Sequence, residues 1–322
     1  MSKVTSVLIP NKKSFLFVPL FSLVFLVLLA LPYFVDLFYQ TFLTEVLVWV
    51  LFAVSFDLIF GYTGLLSFGQ ALFFGLGAYA FAIPIVKFGL GPGTAFILSI
   101  LIPMVFSWFV GYFSVRLTGI HFVIITLIFA LMGSTIGETW SDLTGGADGM
   151  TIPLSPIPVG PWLLDLTDIK TNYYLVLVIV ALAYLFLRRM VQSPLGKIFI
   201  SIRENEDRAR LIGYNVHRYK LLAFVIAGGL SGLAGGLYGI SLKYASANFL
   251  YWGVSGHAVV YTIVGGMGTL LGPVLGTAII MSLEHYLVNF IQGTDLVVGI
   301  VLVFMVLAAP KGLVGLFQRK GK

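Results

Sequence analysis

The sequence predicts an all-α polytopic membrane protein with about ten hydrophobic helical segments, making eight to ten crossings, some of them broken at glycine-rich sites. Three observations carry that prediction. Of the 322 residues, 59% are hydrophobic and 10% charged, against about 25% charged in ordinary soluble domains. Apolar residues run in long blocks and do not alternate, which disfavours a transmembrane β-barrel. The 36 glycines suit helices that pack closely in lipid. The same numbers argue against a water-soluble enzyme or a disordered chain, because 19 basic and 13 acidic side chains are too few to cover a soluble protein of this size. There is no cysteine, so disulfides, thiolate metal sites and cysteine nucleophiles are excluded.

A helix needs about 20 apolar residues to cross a bilayer. The qualifying blocks are 14–35, 44–60, 64–86, 94–115, 119–138, 173–187 and 221–242. The C-terminal stretch divides into 251–267, 271–291 and 295–309, separated by glycine-rich or polar breaks; if two of these are half-helices, the crossings number eight. The first block is read as a retained span, since its apolar run from Phe15 to Val35 exceeds the roughly 7–15 residues of a signal-peptide core.

Basic residues set the orientation. Lys3, Lys12 and Lys13 place the N-terminus in the cytoplasm. Six crossings later, segment 188–220 is cytoplasmic too, and it holds eight of the nineteen basic residues: Arg188, Arg189, Lys197, Arg203, Arg208, Arg210, Arg218 and Lys220. Loop 139–172, with Asp142, Asp148, Asp165 and Asp168 against Lys170, is external. The tail, 310–322, carries Lys311, Arg319, Lys320 and Lys322 and is cytoplasmic, which demands an even number of crossings. The chain is thus a single transmembrane domain, 1–322.

No G-x-x-x-x-G-K-[ST] run occurs: the Gly196-Lys197 pair is followed by Ile198. The histidines at 121, 217, 257 and 285 show no metal-ligand spacing, and no cofactor is expected. Residues 201–213 read as one short helix, capped by Ser201 with Glu204 three residues on and ended by Gly213, with Arg208, Leu211 and Ile212 on one side. Two readings of it stand: a solvated basic loop, or a docking surface.

The run Gly61-Tyr62-Thr63-Gly64-Leu65-Leu66-Ser67-Phe68-Gly69-Gln70 joins two apolar blocks. It reads either as close helix packing by small residues or as a broken helix lining a cavity, with Ser67 and Gln70 facing that cavity. A second run, Gly265-Gly266-Met267-Gly268-Thr269-Leu270-Leu271-Gly272-Pro273, loosely repeats it: Gly61, Gly64, Leu66 and Gly69 match Gly265, Gly268, Leu270 and Gly272. Acidic residues within spans are functional candidates. Asp57 is the clearest, read either as a pathway carboxylate or as a helix-end group bonded to backbone N–H near the interface. Glu284 beside His285 is the second, and Glu138 lies at the outer end of a span.

Four segments together resemble a known family: Gly61 through Tyr79, Leu143-Thr-Gly-Gly-Ala-Asp-Gly-Met150, Ile202-Arg-Glu-Asn-Glu-Asp-Arg-Ala209 through Leu221, and Gly265 through Gly276, with the closing Ala309-Pro-Lys-Gly-Leu-Val-Gly315. In this order they resemble the LivM-type permease of branched-chain amino acid ABC transporters. The resemblance implies an ABC importer permease fold in the inner membrane of a prokaryote, a LivH-type second permease, two cytoplasmic ATPase subunits, and a periplasmic or lipid-anchored amino-acid-binding protein. It implies a transport subunit without catalytic residues of its own.

In that family a coupling motif, E-A-A-x-x-x-G, seats in a groove of the ATPase. Asp207, Arg208 and Ala209, then Gly213, occupy its positions, so Glu and the first Ala are replaced; Arg203 and Glu206 join them as coupling candidates. Gln70 stands where the family commonly has His. Pathway candidates are Asp57, Gly64, Ser67, Gln70, Gly266 and Gly268. Alternatives are a permease for urea or short amides in the same superfamily, and an ion-coupled carrier using Asp57 and Glu284.

Overall fold

The computed structural model describes residues 12–154, 156–159, 162–288 and 312–319, with positions 297, 299, 300 and 303. Segment 295–309, Lys3, Lys311, Lys320 and Lys322 lie outside the described residues, apart from those isolated positions. The chain is a helical bundle. Its membrane-crossing candidates form in the order the hydropathy predicts, and turn chemistry sets their ends.

Helix α1 (Lys12–Ala30) leads into a 3₁₀ turn at Leu31–Tyr33. Helix α2 (Leu37–Asp57) continues through a π-helical turn at Leu58–Tyr62. Helix α3 (Gln70–Phe88) stops where Gly89 takes up φ +63. Helix α4 (Pro92–Ser114) begins with a proline at its first turn, where the missing N–H costs nothing. Helix α5 (Ile120–Thr139) follows Gly119, at φ +58. After the four-residue α6 (Ser141–Thr144) comes α7 (Ile169–Gln192), capped by the Asp168 carboxylate on the Thr171 N–H.

Two short helices, α8 (Pro194–Glu204) and α9 (Glu206–Leu211), precede α10 (Val216–Leu242). The expected single helix over 201–213 is therefore two. Asn205 is extended (φ −162°, ψ 106°), and its side chain caps α9 on the Arg208 N–H. Ser201 bonds back to Ile198 O instead of capping. Asn is a strong N-cap and a poor interior residue, so the chain breaks there.

Six of these helices are long and apolar enough to cross a membrane: α2 with its π turn, α3, α4, α5, α7 and α10. Helices α11 (Trp252–Gly265) and α12 (Leu271–Leu287) have 14 and 17 residues, about 21 and 26 Å at 1.5 Å per residue, short of a roughly 30 Å hydrocarbon core. They pack on each other and on α2.

Helices α2, α3 and α10 form the centre, with 78%, 72% and 67% of their apolar windows buried; α4 and α5, at 28%, turn most of theirs outward. Small residues permit the α3–α10 contact. A Cβ on Gly77 would stand 2.0 Å from Gly232 O, and one on Gly235 1.8 Å from Phe74 O.

Helix α10, 27 residues and about 40 Å long, separates the two charged regions. At its C-terminal end, strand β1 (Met150–Thr151) pairs antiparallel with Tyr244–Ala245, tying loop 139–172 to that end. A hairpin, Ile157–Val159 with Trp162–Leu164, lies in the same loop. The basic segment enters α10 at the opposite end. The acidic and basic loops thus occupy opposite ends of the bundle.

Candidate functional site

The first glycine run is not the start of a helix: α3 begins at Gln70, six residues later than its hydropathy block. Residues 63–69 are irregular backbone, buried or half-buried apart from Gly64, and around Phe68 the backbone groups bond to side chains of other helices. The Phe68 N–H donates to Thr126 Oγ1 of α5 at 3.3 Å. Ser255 of α11 donates to Phe68 O and accepts the Ala71 N–H, both at 2.8 Å. Irregular backbone at membrane depth requires such protein partners, because lipid offers none.

Ser67 and Gln70 are fully buried in this arrangement and do not face an open cavity. Ser67 Oγ accepts the Gly69 N–H at 3.1 Å. Gln70 Oε1 accepts from Ser231 of α10 at 2.8 Å, and Ser231 in turn lies 2.9 Å from Ser55 of α2. Gln70 Nε2 is buried without a hydrogen-bond partner.

The second run forms the turn between α11 and α12. Gly266 and Gly268 sit at φ +118 and +74, and Leu270, with no such freedom, at φ +55. Thr269 Oγ1 stitches the turn internally, donating to Gly266 O and accepting the Gly272 N–H, each at 2.8 Å. Gly266 also packs under a short helix, Gly312–Arg319: a Cβ on Gly312 would stand 2.4 Å from Gly266 Cα.

Asp57 joins the two breaks. Its carboxylate, fully buried, accepts the Gly268 N–H at 2.7 Å and the Leu270 N–H at 3.2 Å. The helix-end reading is right about its backbone partners, but they belong to the distant break and lie in the protein interior. Directly beside it, Arg203 Nη1 donates to Gly61 O. A Cβ on Gly64 would stand 3.2 Å from Arg203 Cγ, and one on Gly268 2.7 Å from Arg203 Nη1. Gly64 and Gly268, matched in the repeat, have φ of +76 and +74 and flank the same arginine.

The basic loop stands on a small base of its own. Ala209, Ile202 and Val216 form a buried cluster. Glu206 bonds to Lys220, itself 3% exposed, and to Arg210 Nη2 at 2.6 Å. Asp207, Arg208, Leu211 and Ile212 point outward, Leu211 88% exposed. Gly213, at φ +100, turns the chain back toward α10. The coupling candidates therefore divide. Ala209 and Glu206 anchor, Asp207 and Arg208 are presented to solvent, Gly213 turns, and Arg203, exposed overall, touches the first break with one guanidinium nitrogen.

Asp57, Gly64, Gly268 and Arg203 come together, whereas Gln70 forms a separate polar cluster with Ser231 and Ser55, and Ser67 bonds locally to the Gly69 N–H. Thr126, Ser231 and Ser255 escape a reading of the sequence. Their only signal is a lone hydroxyl in an apolar helix, two of them beside glycine. Lys220 reads as one more loop cation and is instead a buried ion-pair partner. Among the described residues no group of three or more His, Asp or Glu is placed to hold a metal ion.

Comparison with known proteins agrees with this architecture. Residues 38–308 match the family model of the branched-chain amino acid transport system permease component. The high-affinity branched-chain amino acid transport system permease protein LivM of Salmonella typhimurium is 26% identical over 290 residues, 84% of this chain and 68% of the relative. LivH of the same organism is 23% identical over 286 residues, 83% of this chain and 91% of the relative. A probable LivM of Methanocaldococcus jannaschii is 22% identical over 317 residues, covering 81% and 89%. No solved structure matches. With its spans, its two breaks and its basic loop inside the matched region, the chain belongs to the branched-chain amino acid transport permease family and is a multi-pass membrane transport subunit.

Proposed function

We propose that this chain is one permease of an ATP-driven importer for the branched-chain amino acids leucine, isoleucine and valine. A LivH-type permease pairs with it, and two cytoplasmic ATPases drive the pair. A periplasmic or lipid-anchored binding protein delivers substrate at the acidic end. With the 19-residue α1 making the sixth crossing before it, the basic loop faces the cytoplasm of a prokaryotic cell together with both termini, in keeping with the positive-inside rule.

The observation that carries this reading is the form of the basic loop. It is an ordered helix pair with a buried anchor, presenting Leu211 and Ile212 beside Asp207 and Arg208. A merely solvated loop gains nothing from holding two large apolar side chains in water, whereas a surface that seats in a groove does. Closure of the ATPases moves this loop and rocks the bundle as a rigid body, giving alternating access without covalent chemistry. The substrate passes between the two permeases, along elements that include the breaks holding Asp57, Gly64, Ser67, Gln70, Gly266 and Gly268.

The test uses Gly213→Trp and Arg208→Glu in the purified complex. Loss of uptake and of substrate-stimulated ATPase is expected; if both persist, the coupling assignment is wrong. The runner-up substrates, urea and short amides, are separated by measuring which of leucine, isoleucine, valine and urea the cognate binding protein holds.

A further inference from the structure

Arg203 sits in the last turn of α8, two residues before Asn205, where the chain turns into the outward-facing α9. The residue is exposed overall, but one guanidinium nitrogen lies at the edge of the bundle and donates to Gly61 O in the π-helical turn of α2, a site where the regular ladder of backbone bonds is already interrupted. The stem of the same side chain packs on Gly64 in the first break, and Nη1 packs on Gly268 in the second. Asp57, one turn before Gly61, then holds Gly268 and Leu270 through their N–H groups. A Cβ on Gly61 would stand 1.9 Å from Asp57 Oδ1 and 2.4 Å from Gly268 N, so the two breaks touch through backbone.

We propose that Arg203 and Asp57 are the transmission joint of this permease: Arg203 carries displacement of the basic loop to both glycine breaks, and Asp57 locks the second break to the first. The proposal rests on the importer reading above and assigns the step between ATPase closure and movement of the membrane segments. Both are positioning residues. Three features suit the task. Among the positive-φ positions of the breaks, Leu270 has no glycine freedom, and its conformation persists only while its surroundings hold it. One planar guanidinium with several donors meets both Gly61 O and Gly268 while its stem lies on Gly64, which a lone ammonium does not reproduce. The joint is engaged while Ser67 and Gln70 are shut inside the bundle, so engagement corresponds to the closed arrangement. Withdrawal of α8 by a moving α9 removes the donor from Gly61 O and frees both breaks together.

The experiment reconstitutes the whole complex, with its ATPases and binding protein, in liposomes and measures amino acid taken up per ATP hydrolysed. If the unmodified complex shows no ATP-dependent uptake, the importer reading fails, whatever the joint does. With uptake established, Arg203→Gln is expected to lower uptake per ATP at least tenfold while ATPase rate stays within twofold, and Arg203→Lys to recover part of the loss. An unchanged ratio in Arg203→Gln overturns the proposal. The natural chain has no cysteine, so Met267→Cys, on an exposed position of the second break, supplies a single label in a background with the joint intact. Its reaction with a membrane-impermeant maleimide is expected to change severalfold between nucleotide-free and ATP-bound complex. Equal rates in the two states overturn the proposal even if every joint variant fails to assemble.

Discussion

The Asp57 carboxylate accepts the Gly268 N–H at 2.7 Å, so the end of α2 just before the first break holds the second break from 211 positions away in the sequence. The Leu270 N–H completes the pair, so one buried side chain satisfies two backbone donors of a turn that has no helix to satisfy them. Asp57→Ala leaves the buried Leu270 donor and the half-buried Gly268 donor without this partner, and about 2–4 kcal/mol of stability is expected to be lost. Asp57→Asn keeps one acceptor oxygen and is expected to lose about half as much. Thermal unfolding of the three proteins in one detergent gives the order; an alanine variant as stable as the parent refutes it.

Helix contact through backbone makes a sharper test of packing. Gly77 and Gly256 look alike in sequence, but a Cβ on Gly77 would stand 2.0 Å from Gly232 O, whereas one on Gly256 meets nothing within 4 Å. Gly77→Ala forces α3 and α10 apart and is expected to cost about 3 kcal/mol or more. Gly256→Ala is expected to fall within about 0.5 kcal/mol of the parent. Size-exclusion profiles after heating separate the two outcomes.

Hydropathy made the long spans legible because each is a local property: α4, α5 and α10 begin within about five residues of their apolar blocks, and proline, glycine or asparagine marks each start. The glycine-rich runs were legible as breaks for the same local reason. What joins them was not. Asp57 meets Gly268, Ser255 meets Phe68, and Arg203 meets Gly61 across 142 or more positions, and no spacing rule connects them. The loop helix was misplaced because Ser201 and Asn205 compete as caps. Only the fold, which buries Ile202 and Ala209 on one base, decides for Asn205.

That base rests on an ion pair with unequal surroundings. Lys220 is 4% exposed at its side chain and Glu206 24%. Glu206→Gln leaves the ammonium buried with no charge opposite it. Breaking a fully buried pair costs about 3–5 kcal/mol, and the partial exposure of Glu206 reduces that to about 2. Adding Lys220→Met removes the stranded charge and is expected to restore most of the loss. The double variant being more stable than the single one is the diagnostic sign, read from thermal melts or from protease cleavage between α9 and α10.

At the opposite end, Asp168 caps α7 through the Thr171 N–H at 3.0 Å and the Thr171 hydroxyl at 2.9 Å. These bonds, the hydroxyl first, favour the ionised form and hold its pKa below the ordinary carboxylate value. A lowered folded pKa means that the stabilisation is complete above the unfolded value of about 3.9 and is lost as pH falls through the folded one. Asp165, bonded in the same way to Thr167, is lowered too and contributes in the same direction. Asp168→Ala is therefore expected to cost about 1 kcal/mol at pH 7. The difference from the parent narrows below about pH 4 and disappears once both folded and unfolded carboxyls are protonated. Asp168→Asn keeps an acceptor for the Thr171 N–H and is expected to be nearly as stable as the parent at pH 7, without the pH dependence. Melting temperatures at pH 7, 5 and 3 test this directly: a constant gap between Asp168→Ala and the parent across that range would mean that the cap does not act through its charge.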